Sequence, residues 1–411
     1  MGKQGTSLVG DAARPWWSRE SLRYVDSRLH LAGRDVGALA AELGTPLFLY
    51  DRRRLLEKAS LLHAALDRRG LRHRIFYAMK ANRFVPLLCH LQASGLCGID
   101  ACSPGEIRLA RQVGFAEEDI SFTATSLSRD DLRALARHPG VTVNCDSFST
   151  LRRLAELCPG RRVGLRIDPG LGLAYRNQAR LSYGGRRHAK LGIALEDAAA
   201  AVALAQESGL EVDGLHVHAG CGYLNNQLPI LDEILARLRE VAEALPNFRR
   251  INIGGGLGSP LTDRDRPLDL DAWAAVVERR LGHGLGDVEI QVEPGDFLVK
   301  DSGVLVCRVA SVESKNGLRF IGVDAGFNIQ ILPATYELPL EPVPCEEPLG
   351  DEREAATVVG NINEVSDVFG IDLALPRIEE ASYLAFLGAG GYGSSMSSQH
   401  CLRGDFTEVL L

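Results

Sequence analysis

Lys80 stands directly behind the apolar run Phe76-Tyr77-Ala78-Met79 and ahead of Ala81-Asn82, so its amine emerges at the end of a short strand-like segment. Burial there lowers an ammonium pKa, because the charged form loses solvation, and frees neutral amine able to condense with an aldehyde. Taken alone, a solvated lysine just past a strand is the plainer reading. Gly254-Gly255-Gly256-Leu257-Gly258 follows Arg250-Ile251-Asn252-Ile253 and offers backbone NH groups with few side chains in the way, the material of an anion cradle or of a tight turn. No Walker lysine and no Gly-x-Gly-x-x-Gly setting competes with the cradle. Glu293, in Glu293-Pro294-Gly295, supplies a carboxylate for chemistry or for an ion pair with a residue such as Arg308. His216 and His218 are two residues apart and on a strand project to one face; as metal ligands they lack a third partner at suitable spacing.

These residues need elements to gather them. β-rich runs fall at 74–79, 96–101, 119–124, 141–145, 162–168, 212–219, 249–254 and 287–293. Between them lie segments such as Asp130 to Arg137, Thr150 to Leu157, Leu195 to Glu207 and Leu228 to Ala244, whose apolar residues recur near the helical period. This alternation predicts an α/β architecture, a closed parallel (β/α)8 TIM barrel, with an open doubly wound sheet as the alternative. After Pro294 the texture changes to β-branched runs at 303–309, 318–323, 356–359 and 383–387, a C-terminal β-rich barrel or sandwich domain. Leu22 to Val36 also reads as strands. Residues 1–45 are therefore expected to pack with the C-terminal domain, 296–411, leaving 46–295 as the barrel. The Pro- and Glu-rich stretch 337–352 reads as an exposed excursion.

A barrel concentrates chemistry at the C-terminal ends of its strands. There the chain carries Lys80, Asp100, Arg166 with Asp168, His216 with His218, the glycine run, and Glu293, in strand order one, two, five, six, seven and eight. A lysine, an anion cradle and a carboxylate round one mouth predict pyridoxal 5'-phosphate as cofactor. Lys80 holds the aldehyde, the glycines the phosphate and Glu293 the pyridine nitrogen, with either histidine against the ring. A carboxylate keeps that nitrogen protonated, and the pyridinium draws electrons from a carbanion at the substrate Cα.

Composition narrows the class. With 411 residues the chain exceeds one usual core, and 45% apolar content suffices for two. A net charge of −7 opposes a nucleic-acid partner. The short basic runs Arg52-Arg53-Arg54 and Arg186-Arg187 carry no patch, and the first reads as a solvated helix start. Nine cysteines without a Cys-x-x-Cys pair suggest neither zinc nor a disulfide framework and fit a reducing, cytoplasmic setting. No apolar run approaches the ~18 residues of a membrane span, and the N-terminus, with Asp11, Arg14, Trp16 and Trp17, lacks a signal-peptide core.

Six motifs give the chain a family resemblance along almost its whole length. They are Tyr77-Ala78-Met79-Lys80-Ala81-Asn82, the segment Gly98 to Glu106, His216-Val217-His218-Ala219-Gly220-Cys221, Gly254 to Gly258, Glu293-Pro294-Gly295, and Gly390 to Ser398 with Tyr392. In order and spacing they resemble the fold type III pyridoxal phosphate enzymes, the diaminopimelate and ornithine decarboxylase family. The resemblance implies that Lys80 binds the cofactor covalently, His218 stacks on its ring, Glu293 pairs with its nitrogen and Tyr392 reaches its phosphate, with Asp100 and Arg166 in the same site. Cys221 stands where the family has serine, and a thiol is the weaker donor. The resemblance also implies head-to-tail homodimers with shared active sites.

Three departures bear on the substrate. The family's Glu-Pro-Gly-Arg reads Glu293-Pro294-Gly295-Asp296, and the arginine expected before Pro333 to Tyr336 is Leu332. Aspartate and leucine cannot grip a distal carboxylate by bidentate hydrogen bonds, which argues against diaminopimelate. Asn363, in Asn361-Ile362-Asn363-Glu364-Val365-Ser366-Asp367, replaces a cysteine and cannot donate a catalytic proton, leaving Lys80 or water held by Glu364 of the other subunit. This form is similar to the subgroup containing the decarboxylase domain of microcin C biosynthesis. The expectation is decarboxylation at Cα of an amino-acid-like substrate from natural-product metabolism, with Asp296, Tyr336, Glu364 and Asp367 at the substrate. Asp296 could meet a distal cation, pair with Arg308 or cap a turn. Racemisation on the same cofactor is the alternative, and a non-catalytic homologue a further one.

Overall fold

The structure, a computed structural model, describes residues 15–185, 188–244 and 248–411. Asp11, Arg14 and the Arg186-Arg187 pair lie outside the described residues. Eight parallel strands close on themselves: His73–Ala78, Gly98–Ala101, Ile120–Thr123, Thr142–Cys145, Arg162–Asp168, Glu211–His216, Arg250–Asn252 and Glu289–Val292, the last pairing back with the first. The predicted barrel is therefore present, and all eight C-terminal ends open on one face. The strands read as near-continuous apolar runs because both their faces are covered.

Local sequence sets the helices that surround them. Ser103, Ser128 and Ser147 cap the helices Pro104–Val113, Arg129–Ala136 and Phe148–Leu157 through their hydroxyls, and Asp131 completes a capping box with Ser128. Asp51 caps Arg52–Asp67. That helix packs against Leu270–Leu281 and the short Asp296–Val299, filling the place the eighth strand leaves without a full helix of its own. In the basic start of Arg52–Asp67, Arg54 turns inward to Asp301 at 2.7 Å while Arg52 and Arg53 stay exposed.

The C-terminal half is built round the long strand Gly303–Lys315, which pairs with Leu47–Tyr50, Leu318–Val323 and Tyr383–Leu387. Leu47–Tyr50 thus belongs to the β sheet, and the helix after it opens the barrel. Leu22–Val25, Arg28–Leu31 and Arg34–Asp35 form a small antiparallel sheet of their own, whose Leu22, Leu29 and Leu31 pack with Val304, Val306 and Leu387. The stretch 337–352 is only partly an excursion. Glu341–Pro344 pairs with Tyr383–Leu387 at the sheet edge, where Pro342 and Pro344 are tolerated because an edge strand leaves one side unpaired.

Candidate active site

The strand ends and the start of the β domain enclose a cavity of about 410 Å³. Lys80, Asp100, His218, Cys221, Gly256, Leu257, Glu293, Asp296, Tyr336 and Tyr392 all line it. The glycine run Gly254 to Gly258 is fixed by backbone contact. Gly254 and Gly256 have φ of 69° and 86°, and a Cβ on Gly256 would lie 2.0 Å from the Gly220 carbonyl. Gly256 O accepts from the amides of Gly222 and Tyr223, and Gly258 N donates to Tyr223 O. Gly255 N donates to His218 Nδ1 at 3.2 Å. Gly254, Gly255 and Gly258 therefore shape the turn, while the amides of Gly256 and Leu257 donate to no other group among the described residues.

Glu293 sits in a bed of donors. Ser121 Oγ donates to its Oε1 at 3.0 Å, Asn252 Nδ2 to the same oxygen at 2.6 Å, and His216 Nε2 to Oε2 at 2.9 Å. Oε2 keeps one lone pair. Burial alone would raise this carboxyl, but its pairing with His216 first, and then the nearby Lys80, bring it down to about 2. Burial pushes the His216 imidazole itself downward. We take the pair as a neutral imidazole donating Nε2–H to an ionised Glu293, because three hydrogen bonds favour the carboxylate whichever charge His216 carries. Arg308 plays no part here. Its backbone NH donates to Asp324 at 2.9 Å.

The two histidines divide their duties. His216 faces the barrel interior, whereas His218 lies past the strand end, with Tyr183 edge-on at 5.3 Å between centroids. Burial first, then Lys80, hold His218 well below the ordinary histidine value, so it is a neutral, flat wall whose Nδ1 is an acceptor. Cys221 Sγ donates to Tyr183 Oη at 3.3 Å. Burial raises the Asp100 carboxyl well above its ordinary value, with Glu293 adding to it, and its Oδ1 is buried without a partner. Arg166 is buried inside the barrel, where its charge acts on Glu293, Asp146, Cys102 and Asp100.

Lys80 departs from expectation. Its ammonium is held well above the ordinary value, first by Cys102, then by Tyr392, Asp100 and Cys221, while desolvation opposes them. Burial keeps the Cys102 thiol itself near 12, and so protonated near neutral pH. The thiol therefore adds no charge at Lys80 near neutral pH, and the resting lysine is an ammonium, a proton carrier. Tyr392 adopts the left-handed backbone, φ 58°, and its amide is tied to Ala81 O at 2.7 Å; such strain collects at binding sites.

Other predicted positions have partners of their own. Asp296 lines the cavity but pairs with Lys300, not Arg308: its Oδ2 is 2.9 Å from Lys300 Nζ. Asp367 turns into its own domain and accepts from the amides of Phe327 and Ile362, each at 2.6 Å, bracing the loop. Asn363 and Glu364 are exposed on that loop, outside this chain's cavity, with His400 3.7 Å from Glu364. Ser121, Asn252, Tyr183 and Lys300 were not singled out by the sequence reading. Only Lys300 carried a usable signal, the i,i+4 spacing from Asp296.

The residues fit pyridoxal phosphate. Unclaimed amides at Gly256 and Leu257 suit a phosphate, the ionised Glu293 with a spare lone pair suits a protonated ring nitrogen, and the Lys80 amine suits an aldehyde. Residues 52–300 match the model of the pyridoxal-dependent decarboxylase, pyridoxal binding domain. A diaminopimelate decarboxylase of Methanothermobacter thermautotrophicus is 36% identical over 93% of this chain and 90% of its own length. One from Escherichia coli K12 is 31% identical over 90% of each. Among solved structures, diaminopimelate decarboxylase from M. jannaschii in co-complex with L-lysine superimposes with a TM-score of 0.87 at 26% identity, covering 95% of this chain and 93% of that one.

Proposed function

Because the chain belongs to the pyridoxal-dependent decarboxylases, carboxy-lyases of amino acids, we propose that it removes the α-carboxylate of an amino acid other than diaminopimelate and returns a proton to Cα, releasing CO2 and an amine. Lys80, Glu293, His218, Tyr392 and the Gly256–Leu257 amides would hold pyridoxal phosphate, which when bound supplies an electron sink for the carbanion left at Cα. The observation that carries the reading is Glu293, held ionised by Ser121, Asn252 and His216 at 3.0, 2.6 and 2.9 Å. Anchored in that way it keeps a positive charge opposite itself, which favours loss of CO2 over proton exchange alone.

Lys80 has the second task. An ammonium at the cavity wall, it would be placed to return a proton to Cα. Asn363 cannot. Glu364 of a second copy, in a head-to-tail homodimer, would order water at the open side of the cavity. Beside it Val365 is 99% exposed, and Leu402 is 87% exposed, apolar surface that a second subunit would cover.

Diaminopimelate is disfavoured in this reading because Asp296 is paired with Lys300 and Leu332 is apolar, so neither of these two positions offers an arginine fork to a distal carboxylate. A tailored substrate of specialised metabolism fits these replacements. The test is CO2 release by the cofactor-loaded protein from a panel of L- and D-amino acids and carrier- or nucleoside-linked forms, with Lys80→Ala as control and chiral chromatography alongside. CO2 from another substrate in preference to diaminopimelate is the expected result. Fastest turnover of diaminopimelate, or interconversion of enantiomers without CO2, overturns it.

A further inference from the structure

We infer that the substrate's side chain ends in an uncharged, apolar group seated against Leu181, Leu261, Leu332 and Leu338, an inference that rests on the decarboxylase reading above. These four leucines line the same cavity as Lys80 and Glu293. With Ala174 and Tyr175 they form an apolar cluster separate from the barrel core and from the β-domain core. Cys221 and Tyr392 pack against that cluster and join it to the Lys80 side of the cavity. Its members come from three places in the chain: the loop after the fifth strand, the segment after the glycine run, and the turn around Leu332–Tyr336.

The charges nearby are spent on one another. Lys300 Nζ lies 2.9 Å from Asp296 Oδ2 as an ion pair, and both Nζ and Asp296 Oδ1 are buried without a hydrogen-bond partner. Gly391 packs so closely on Asp296 Oδ1 that a Cβ there would meet it at 2.6 Å. The pair therefore presents no net charge to a ligand. Of the other charged side chains in the lining, Glu106 accepts from the Cys102 amide at 2.6 Å, and Arg83 is exposed and donates to the Ser395 carbonyl. A carboxylate or ammonium at the leucine end would lose its water and find no counter-ion, whereas an alkyl or aryl group would shed apolar surface there.

The experiment compares kcat/KM for CO2 release by the cofactor-loaded protein with leucine, methionine and phenylalanine against lysine, glutamate and diaminopimelate. Calorimetric binding of the amines isopentylamine and phenethylamine against cadaverine runs in parallel. The expected result is a preference of roughly 100-fold or more for the apolar members in both series. Leu332→Glu should cut that preference at least about ten-fold, while Leu332→Met keeps it within about three-fold. If lysine or diaminopimelate is turned over best, the apolar pocket is refuted and the decarboxylase stands. If no amino acid yields CO2 but the apolar amines still outbind cadaverine, the decarboxylase reading fails and the pocket stands. Tighter binding of cadaverine overturns the inference whatever the turnover.

Discussion

Replacing Ser121 by alanine tests whether Glu293 is ionised in the folded protein. Ser121 is fully buried, and its hydroxyl donates to Glu293 Oε1 at 3.0 Å. Asn144 Nδ2, which also approaches that hydroxyl at 3.4 Å, keeps Thr123 Oγ1 at 3.0 Å, so alanine removes little else. A hydrogen bond to a charged group contributes about 1.5–3 kcal/mol and one between neutral groups about 0.5–1.5 kcal/mol. Ser121→Ala should therefore lower the unfolding free energy by about 2 kcal/mol in the native protein and about 1 kcal/mol in a Glu293→Gln background. The difference exceeds the ~0.5 kcal/mol within which independent sites add. The same loss raises the Glu293 carboxyl by roughly one to two pKa units at about 1.36 kcal/mol each. The sign follows from a folded value of about 2 against an ordinary 4.5: the contribution is complete above the ordinary value and disappears as pH falls toward the folded one. The variant has less to lose and loses it at higher pH. Urea unfolding of the cofactor-loaded protein near neutral pH, followed through the buried Trp273, gives the four free energies. Equal costs of Ser121→Ala in both backgrounds would refute an ionised Glu293.

Lys80→Ala should reduce CO2 release by on the order of 10²–10⁴-fold and abolish the absorbance band of lysine-bound cofactor, with the circular dichroism of the fold retained. Gly256→Ala places a Cβ 2.0 Å from Gly220 O at a φ of 86°, so the glycine turn must shift; strain of about 1–3 kcal/mol and weaker cofactor affinity should show in thermal unfolding and in cofactor titration. Val365→Glu, at a residue 99% exposed in the single chain, should weaken self-association in sedimentation and lower CO2 release with it; full activity in a monomer would contradict a shared active site.

The fold was legible because period and punctuation agreed. Strands buried on both faces show as short apolar runs, serines stand before helices, and the strand ends carry the reactive residues in an order only a closed barrel brings together. Lys80 and Glu293 were legible for that reason, each at the end of a recognisable run, whereas the choice of His218 over His216 and the role of Tyr392 came from the motif resemblance. The edge strand Glu341–Pro344 was hidden by its prolines, which argue against a central strand but not against an edge. The pairing of Leu47–Tyr50 with Gly303–Lys315 was hidden by distance along the chain, since a four-residue apolar strand reads the same in either sheet.

What could not be read is the company each charge keeps. Burial predicted a lowered lysine at position 80, yet Cys102, Tyr392, Asp100 and Cys221, which converge on it from three separate segments, raise it instead. Asp296 looked free to meet a cation, and one turn later Lys300 closes on it at 2.9 Å. Asp367, placed by motif at the substrate, is taken up by two amides of its own loop. In each case the residue type was informative and its partner decided the role. The same rule bears on Glu293, whose three donors arise from strands three, six and seven: an anion fixed by three strands of a closed barrel cannot follow its ligand, so the cofactor must fit the carboxylate, and any substrate must fit what remains between Lys80 and the leucines.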